Sequence, residues 1–182
     1  MRIPSLLLAF SLAALTVSAQ APAPRKAPEF TITEGSGKQS LLSSYRGKVV
    51  VLAFIFTTCP HCQAACGVMT KLQGELGPKG FQALGVAFND NANLLVSSFV
   101  ENFHVGFPVG SANRDEVKNY LQLDDRTPWM VPQIVLIDRK GMIVEQSAAK
   151  GTEELQKEDT LRAKITALLG PSPKTMSKKA GH

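Results

Sequence analysis

A nearly unbroken apolar run covers residues 48–56 of the chain. A run of this kind is typical of a β-strand that is buried on both faces, as at the centre of an α/β sheet. Directly after it, small or apolar residues recur at helical spacing, at Cys62, Ala65, Cys66, Met69 and Leu72. The pattern therefore predicts a central strand that runs straight into a helix.

Shorter periodic segments predict the remaining elements. Strands are predicted over residues 30–33, 81–88, 133–138 and 142–145, and helices over residues 94–103, 115–123 and 153–169. The helix over residues 94–103 places Leu95, Phe99 and Phe103 on one face. Residues 34–37 and 139–141 have the composition of turns. Strands that alternate with helices and end in a hairpin and a helix predict an α/β sandwich with a mixed sheet.

The first residues have the pattern of a secretory signal. Met1-Arg2 supplies a positive charge, residues 6–17 an apolar segment, and residues 17–19 a cleavage site of small residues. We expect residues 1–19 to be removed, which places the mature protein in the periplasm or outside the cell. The alternative is an uncleaved N-terminus that tethers the protein to a membrane, although residues 6–17 are shorter than the roughly 20 residues that span a bilayer.

The rest of the chain fits one globular domain with short flanking segments. The full chain has 182 residues, 44% hydrophobic and 19% charged. Alternating prolines predict a linker over residues 20–28. The folded domain is expected over residues 29–169, and residues 170–182 are expected to form a disordered basic tail. The formal net charge is +5, but the basic residues are not interleaved with aromatic ones, so we expect no nucleic-acid partner.

Two of the three cysteines form the motif Cys59-Pro60-His61-Cys62. Cys59 lies where the predicted strand gives way to the helix, and Pro60 suits the first helical turn because its missing N–H would have no partner there. The free N–H groups and the dipole at a helix start stabilise a thiolate, so Cys59 is the predicted nucleophile. Cys62 lies one turn further on and is the predicted resolving thiol. Together with Pro60, His61 is expected to tune the pair, because its positive charge would favour the thiolate form.

A zinc site is an alternative for such a cysteine pair. It would need further ligands, but the chain has no second pair of this kind, and its only other histidines are His104 and His182. We therefore expect no metal and no cofactor. Cys66 is expected to be a small buried hydrophobe, and the alternatives for it are a second resolving thiol or a soft metal ligand.

Several motifs, in the same order, are similar to those of a known family. They are residues 27–30 (APEF), 42–50 (LSSYRGKVV), 56–62 (FTTCPHC) and 131–138 (VPQIVLID). Over about residues 27–169 the chain resembles the exported, TlpA-like or redoxin-like branch of the thioredoxin superfamily. The resemblance implies a three-layer sandwich with a central mixed β-sheet flanked by helices. It also implies thiol-disulfide exchange on cysteine-containing exported proteins, with a membrane or exported redox partner.

The resemblance assigns roles around the dithiol as well. It makes Pro132 the cis-proline that lies against the two sulfurs, and Val131 the residue whose backbone pairs with an extended substrate. Trp129 is expected either to shape the substrate surface or to pack in a partly buried position.

Three features bear on the direction of electron flow. The Pro-His insert is like that of the periplasmic dithiol oxidases. Thioredoxins carry a buried acid where this chain has Ala53, and the cytochrome-maturation reductases carry a glutamate where it has Ala65. A buried acid assists proton transfer at the buried thiol, so its absence argues against a fast, strongly reducing enzyme. The direction is left open.

A copper-binding assembly protein of the Sco type, which shares this fold, is one alternative function. Cys62 and Cys66 have the spacing of its copper-binding pair, and His104 would be a third ligand. However, that family's pair begins at the position of Cys59, and the residue four positions further on is Gln63.

A peroxiredoxin-like thiol peroxidase is the other alternative. Such enzymes place a threonine and a proline before the reactive cysteine, to position the peroxide. This chain has Phe56 and Leu52 at those positions.

Overall fold

A computed structural model describes residues 22–124 and 126–171 of the chain. The predicted signal peptide over residues 1–19 and nearly all of the predicted tail lie outside the described residues. Each helix within the described part is too short or too polar to cross a bilayer.

The described residues form one mixed sheet of eight strands. The strands are β1 (Arg25–Lys26), β2 (Thr31–Glu34), β3 (Gln39–Leu41), β4 (Val49–Ile55), β5 (Phe81–Ala87), β6 (Val109–Ser111), β7 (Gln133–Ile137) and β8 (Met142–Gln146). Their order across the sheet is β1-β8-β7-β4-β5-β6-β2-β3. β4, β5 and β6 are parallel to one another, whereas β7 is antiparallel to β4 and β2 is antiparallel to β6.

Helices cover both faces of this sheet. The α-helices are α1 (Pro60–Leu76), α2 (Ala92–Asn102), α3 (Arg114–Leu121) and α4 (Glu158–Leu169), and short 3-10 helices cover Leu42–Tyr45, Gly77–Lys79 and Glu153–Gln156. Buried side chains of α1, α2 and α4 share one hydrophobic cluster, and those of α3 belong to a second cluster. Alternate residues of β4 belong to the two clusters, so the clusters lie on opposite faces. The predicted three-layer sandwich with a central mixed sheet is confirmed.

Strand β4 is buried along its whole length because it lies between β5 and β7 and is covered on both faces. Full burial of an aliphatic or phenylalanine side chain contributes about 1.5–3 kcal/mol. The strand therefore contributes strongly to stability, and it fixes the point at which the chain enters α1.

Helix α1 has the buried face that its sequence predicts. The buried residues are Cys62, Ala65, Cys66, Met69, Leu72 and Leu76, which include every position of the helical spacing. Pro60 occupies the first helical turn, and Cys59 is the N-terminal cap. The prediction of a central strand running into a helix is confirmed.

The fold begins earlier than predicted. β1 lies within the predicted linker over residues 20–28, and it pairs with the edge strand β8, with Arg25 opposite Ile143. Ala27 is buried. Prolines at alternate positions favour an extended chain, and here that extended chain is used for sheet pairing. The prediction that the folded domain starts near Glu29 is therefore wrong.

Two helices differ from their predictions in detail. The predicted face of α2 is buried only at Phe99, because Leu95 is 38% and Phe103 42% exposed, and the inward residues are Ala92, Val96 and Phe99. The predicted helix over residues 153–169 is divided at Lys157. The extended backbone of this residue (φ −77°, ψ 132°) separates the 3-10 helix Glu153–Gln156 from α4.

Candidate active site

Cys59 stands at the turn between the central strand and α1. Its backbone is extended (φ −87°, ψ 120°), and its N–H donates to the Phe56 carbonyl oxygen at 3.2 Å. Its own carbonyl oxygen accepts from the Gln63 N–H at 3.0 Å, as expected of a residue that caps a helix. The side chain is half-buried. The sulfur of Cys59 therefore lies at the start of α1, where the first N–H groups of a helix have no partner within it.

Cys62 lies one turn further along α1 and is fully buried. Burial raises the pKa of the Cys62 thiol far above its ordinary value, and the neighbouring Cys59 and Cys66 add to the increase. The Phe56 N–H donates to the Cys62 sulfur at 3.4 Å and opposes the increase. Cys62 therefore remains a neutral thiol near neutral pH, out of reach of an external nucleophile or disulfide.

Cys66 lies one turn deeper and is also fully buried. Burial raises the pKa of its thiol to about 12. None of the three cysteines is joined in a disulfide. Cys66 is buried in the core, as expected of a small hydrophobic side chain at this position.

The two positions at which an acid is absent lie close to these thiols in the fold. Ala53 is buried in the same cluster as Cys62 and Cys66, and Ala65, on the same helix, is 3% exposed. A methyl group at either position can neither donate nor accept a proton. Thus neither of the two positions where the family resemblance implies an acid carries a carboxylate that could exchange a proton with Cys62.

A polar clamp holds the turn that precedes Cys59. The Asn89 Oδ1 atom accepts from the Thr57 N–H at 2.9 Å and from the Thr57 hydroxyl at 3.2 Å. On the other side, the Gln63 side chain donates to the Thr57 carbonyl oxygen at 3.0 Å. Thr57 is thereby fixed from the sheet and from the helix, and the position of Cys59 is fixed with it.

The sequence analysis did not identify Asn89 or Gln63 as residues that position Cys59. A signal for Asn89 is nevertheless present in the sequence. Asn89 follows a buried strand, and the carboxyl ends of neighbouring parallel strands meet at one edge of a sheet, which is where Cys59 is expected.

The segment that leads into β7 lies beside this edge. The Val131–Pro132 bond is cis, which confirms that prediction. Gln133 pairs with Phe54 near the end of β4, so Pro132 is brought next to the strand end from which the dithiol motif emerges. The buried Gln133 side chain donates to the carbonyl oxygens of Met130 (2.8 Å), Ala148 (3.1 Å) and Ala149 (3.2 Å) and so ties this segment to the loop after β8.

Trp129 both packs and faces solvent. Its ring is stacked on Phe88, with centroids 5.0 Å apart and planes 10° apart, and Phe88 in turn lies 4.7 Å from Phe56. On its other side, the Arg114 guanidinium lies 4.6 Å from the Trp129 ring centroid. This row of side chains, Phe56, Phe88, Trp129 and Arg114, is called the aromatic stack below. It starts at the residue whose N–H contacts the Cys62 sulfur.

The structure thus gathers the predicted site residues at one edge of the sheet. Cys59 and Cys62 lie on one helix turn, with Pro60 and the exposed His61 between them. Val131 packs against the clusters on both faces, and Cys59 packs against one of them. His104, by contrast, lies exposed at the end of α2 in a left-handed conformation (φ 49°).

The two alternative functions gain no support from this geometry. Within residues 22–124 and 126–171, no group of His, Cys, Asp and Glu is arranged to hold a metal ion, which leaves the copper site without a third ligand. Leu52 is buried in the core and Phe56 belongs to the aromatic stack. Neither position offers the threonine hydroxyl or the proline ring that would orient a peroxide at Cys59.

Comparison with known proteins agrees with this chemistry. The chain matches the AhpC/TSA family over residues 24–146. The thiol-disulfide oxidoreductase ResA of Geobacillus kaustophilus is 30% identical over 128 residues, 70% of each chain. That of Bacillus thuringiensis subsp. konkukian is 29% identical over 143 residues, 78% of each chain. In fold, a thiol:disulfide interchange protein from Bacteroides sp. is similar, with a TM-score of 0.68 and 21% identity, over 88% of this chain and 98% of that one.

The match over residues 24–146 spans β1 to β8 and includes both cysteines of the motif. The relatives are named thiol-disulfide oxidoreductases. In this chain a half-buried thiol and a buried thiol lie at the start of α1. The chain belongs to the AhpC/TSA family and is a thiol-disulfide oxidoreductase.

Proposed function

We propose that this protein exchanges thiols and disulfides on exported cysteine-containing proteins through the Cys59-Pro60-His61-Cys62 dithiol. The observation that carries the proposal is the contrast between the two sulfurs. Cys59 is half-buried at a helix start, whereas Cys62 is fully buried one turn away. This contrast supports Cys59 as the nucleophile and Cys62 as the resolving thiol.

When the protein reduces a substrate, the Cys59 thiolate attacks one sulfur of the substrate disulfide. The substrate S–S bond breaks, a Cys59–substrate bond forms, and the released thiolate takes a proton from solvent. Cys62 then attacks the Cys59 sulfur, which closes the Cys59–Cys62 disulfide and breaks the Cys59–substrate bond. The proton that Cys62 loses passes to the second substrate sulfur, which leaves as a thiol. Two electrons pass to the substrate. The reverse sequence oxidises a substrate dithiol, and neither direction needs a metal or a cofactor.

The surrounding residues support these steps. The Phe56 N–H is placed to stabilise the Cys62 thiolate as it forms. Val131 and Pro132 are the proposed binding segment for the extended substrate, with Trp129 forming part of the same surface. Pro60 and His61 are the residues proposed to tune the redox potential.

The proposal includes export. Residues 1–19 are the proposed signal, so the domain would act in the periplasm or outside the cell, either free or tethered through an uncleaved N-terminus. A membrane or exported redox partner would return the dithiol to its working state after each exchange. Residues 170–182 are the proposed basic tail.

The test is a redox titration of the purified chain. Protein is equilibrated across a glutathione series, free thiols are alkylated, and mass spectrometry identifies the paired cysteines and the midpoint. Pairing of Cys59 with Cys62 is expected, and pairing of Cys62 with Cys66 would overturn the assignment. A midpoint towards about −120 mV would indicate an oxidant or isomerase, and one near or below about −270 mV would indicate a reductase.

A further inference from the structure

We propose that Arg114, held on the Trp129 ring, gives the substrate surface a preference for cysteine-containing segments with an acidic side chain close to the cysteine. The inference rests on the proposed function and deepens it, because it names the kind of substrate that the same site accepts.

Arg114 is an exposed cation without a carboxylate partner within the described part of the chain. Its guanidinium lies 4.6 Å from the centroid of the Trp129 ring, and it makes no ion pair with a carboxylate among the described residues. The two acids of the same helix turn are occupied elsewhere. Asp115 pairs with Lys118 at 3.8 Å, and the Glu116 carboxylate accepts from the Asn113 N–H at 2.9 Å.

The stacking leaves the hydrogen-bonding edge of Arg114 available. The N–H groups of a guanidinium lie in its plane, so a guanidinium that rests on a ring presents them at its rim, where they fit a carboxylate in bidentate fashion. A surface hollow of about 540 Å³ lies between Phe88 and Arg114 and gives room for a side chain. Asp90 also lines this hollow.

The aromatic stack places this cation near the dithiol. Trp129 precedes Val131 by two residues, and two residues span at most about 7 Å. The Trp129 ring packs on Phe88, and Phe88 packs on Phe56, whose N–H contacts the Cys62 sulfur. A substrate segment that pairs with Val131 therefore passes Trp129 within a few residues of its reacting cysteine.

The other side of the same segment is also basic and apolar. Met130 is 61% exposed, and its N–H donates to the Ala149 carbonyl oxygen at 2.8 Å, which places the exposed Lys150 next to it. The exposed Lys150 thus adds positive charge to the part of the chain that is bonded to Met130. This charge pattern complements a segment in which an apolar residue and an acidic residue lie close to the cysteine.

The test uses two disulfide-linked peptides that differ only in having Glu or Gln two residues from the cysteine. The rate of exchange with the purified full chain is measured at low and at high salt. We expect the Glu peptide to react about 1.5-fold to fivefold faster at low salt, the range of one exposed ion pair, and the preference to shrink as salt rises. Equal rates for the two peptides would overturn the inference.

Variants assign the preference to the stacked cation. Arg114→Gln and Trp129→Leu are expected to bring the ratio of the two rates to about one, and Arg114→Lys to retain part of it, because charge without the planar stack is less well placed. Lys79→Gln removes the same charge from the opposite edge of the sheet and should keep the full ratio. A ratio that survives in Arg114→Gln would refute the role of Arg114.

Failure of the proposed function would look different. If neither peptide reacts, or if both react equally well with a Cys59→Ser variant, the dithiol assignment is wrong. If both react through Cys59 at the same rate, only the inference about acidic substrates is wrong.

Discussion

Helix α1 is built differently at its two ends. At its start, the first turn carries no acidic residue, His61 is exposed, and the turn before it is held by neutral hydrogen bonds from Asn89 and Gln63. Towards its end, Lys71 and Glu75 form ion pairs with α4. The two regions lie about 18 Å apart, because an α-helix rises about 1.5 Å per residue.

The start of α1 thus carries the reacting cysteines, whereas its far end anchors the helix to α4. A charge beside Cys59 would change the stability of its thiolate, whereas a charge farther away than the Debye length of about 8–10 Å is largely screened. Neutral clamps at the start and ion pairs at the far end therefore fix the helix without altering the sulfurs. Substitutions at the two ends should accordingly affect activity and stability separately.

The largest effect is expected at the dithiol. Cys59→Ser should reduce exchange to the background rate, while the free energy of unfolding changes by no more than about 0.5 kcal/mol, because the side chain is half-buried. Cys62→Ala should let Cys59 attack but should leave the mixed disulfide unresolved. Mass spectrometry of the reaction with a peptide disulfide would show the adduct.

The control for this pair is the wild-type chain under the same conditions, in which no adduct should accumulate. An adduct on Cys62 in the Cys59→Ser variant would reverse the assigned roles. It would also break the link between burial and function on which the assignment depends.

The next largest effect is expected at the clamp. Asn89→Ala removes two hydrogen bonds to Thr57, which contribute about 0.5–1.5 kcal/mol each, and it frees the turn that positions Cys59. Exchange should slow about tenfold, since misplacement of a reacting group is costly. Stopped-flow kinetics and urea unfolding measure the two effects.

Matched variants separate positioning from simple destabilisation. Asn89→Asp keeps an acceptor for the Thr57 N–H and should recover much of the stability, but its negative charge near Cys59 disfavours the thiolate, so the rate should recover only in part. Asn93→Ala, on the exposed side of α2, should change neither quantity. A rate in Asn89→Ala equal to that of the wild type would show that the turn is fixed without this clamp.

A smaller effect is expected in the middle of the helix. Cys66→Ala should leave exchange within about twofold of the wild type, because the buried sulfur is not part of the proposed reaction, and should cost about 1 kcal/mol of stability for the lost contacts. If Cys66 were a second resolving thiol, this variant would instead slow the release of substrate.

Cys66→Ala should also change how the stability of the chain depends on pH in the alkaline range. The pKa of Cys66 is about 12 in the folded chain against an ordinary value of 9.0, so the unfolded chain loses this proton first. Stability should therefore fall as pH rises from about 9 towards 12, and Cys66→Ala should fall less steeply. Urea unfolding at pH 8 and pH 10 gives the two slopes, and identical slopes would contradict the pKa shift.

The parts of the site that could be predicted are those with local signals. The apolar run over residues 48–56 and the helical spacing after it determine both the strand and the helix, so Cys59 and Cys62 could be placed from sequence. Pro132 was placed by its motif. These signals depend on neighbouring residues in the chain.

The missed parts depend on contacts between distant segments. Asn89 reaches Thr57 only because β5 lies parallel to β4, and Arg114 reaches Trp129 only because α3 covers the opposite face from α1. Strands β3 and β6 have three residues each, too few to show a period. Arg25 pairs with β8 across more than a hundred residues, which no local pattern reports.

The smallest effect is expected at the far end of α1. The Glu158 carboxylate accepts from Lys71 at 3.0 Å and from Arg162 at 2.8 Å, and these two cations hold its pKa below the ordinary value of 4.5. Glu158→Gln should lower Tm slightly at neutral pH and leave exchange unchanged, because exposed ion pairs contribute little and the sulfurs lie far away.

The acid dependence follows from the direction of that pKa shift. Because the pKa of Glu158 is lower in the folded chain, the unfolded chain binds the proton first as pH falls, so the contribution is present above about pH 4.5 and is lost below it. The Tm difference between wild type and Glu158→Gln should thus be larger at pH 7 than at pH 3. Glu154→Gln, whose partner Lys157 lies in the same segment, is the matched control for an ion pair that does not join α4 to α1. If Glu158→Gln slowed exchange at pH 7, the two ends of α1 would be coupled and their separation into chemistry and anchoring would fail.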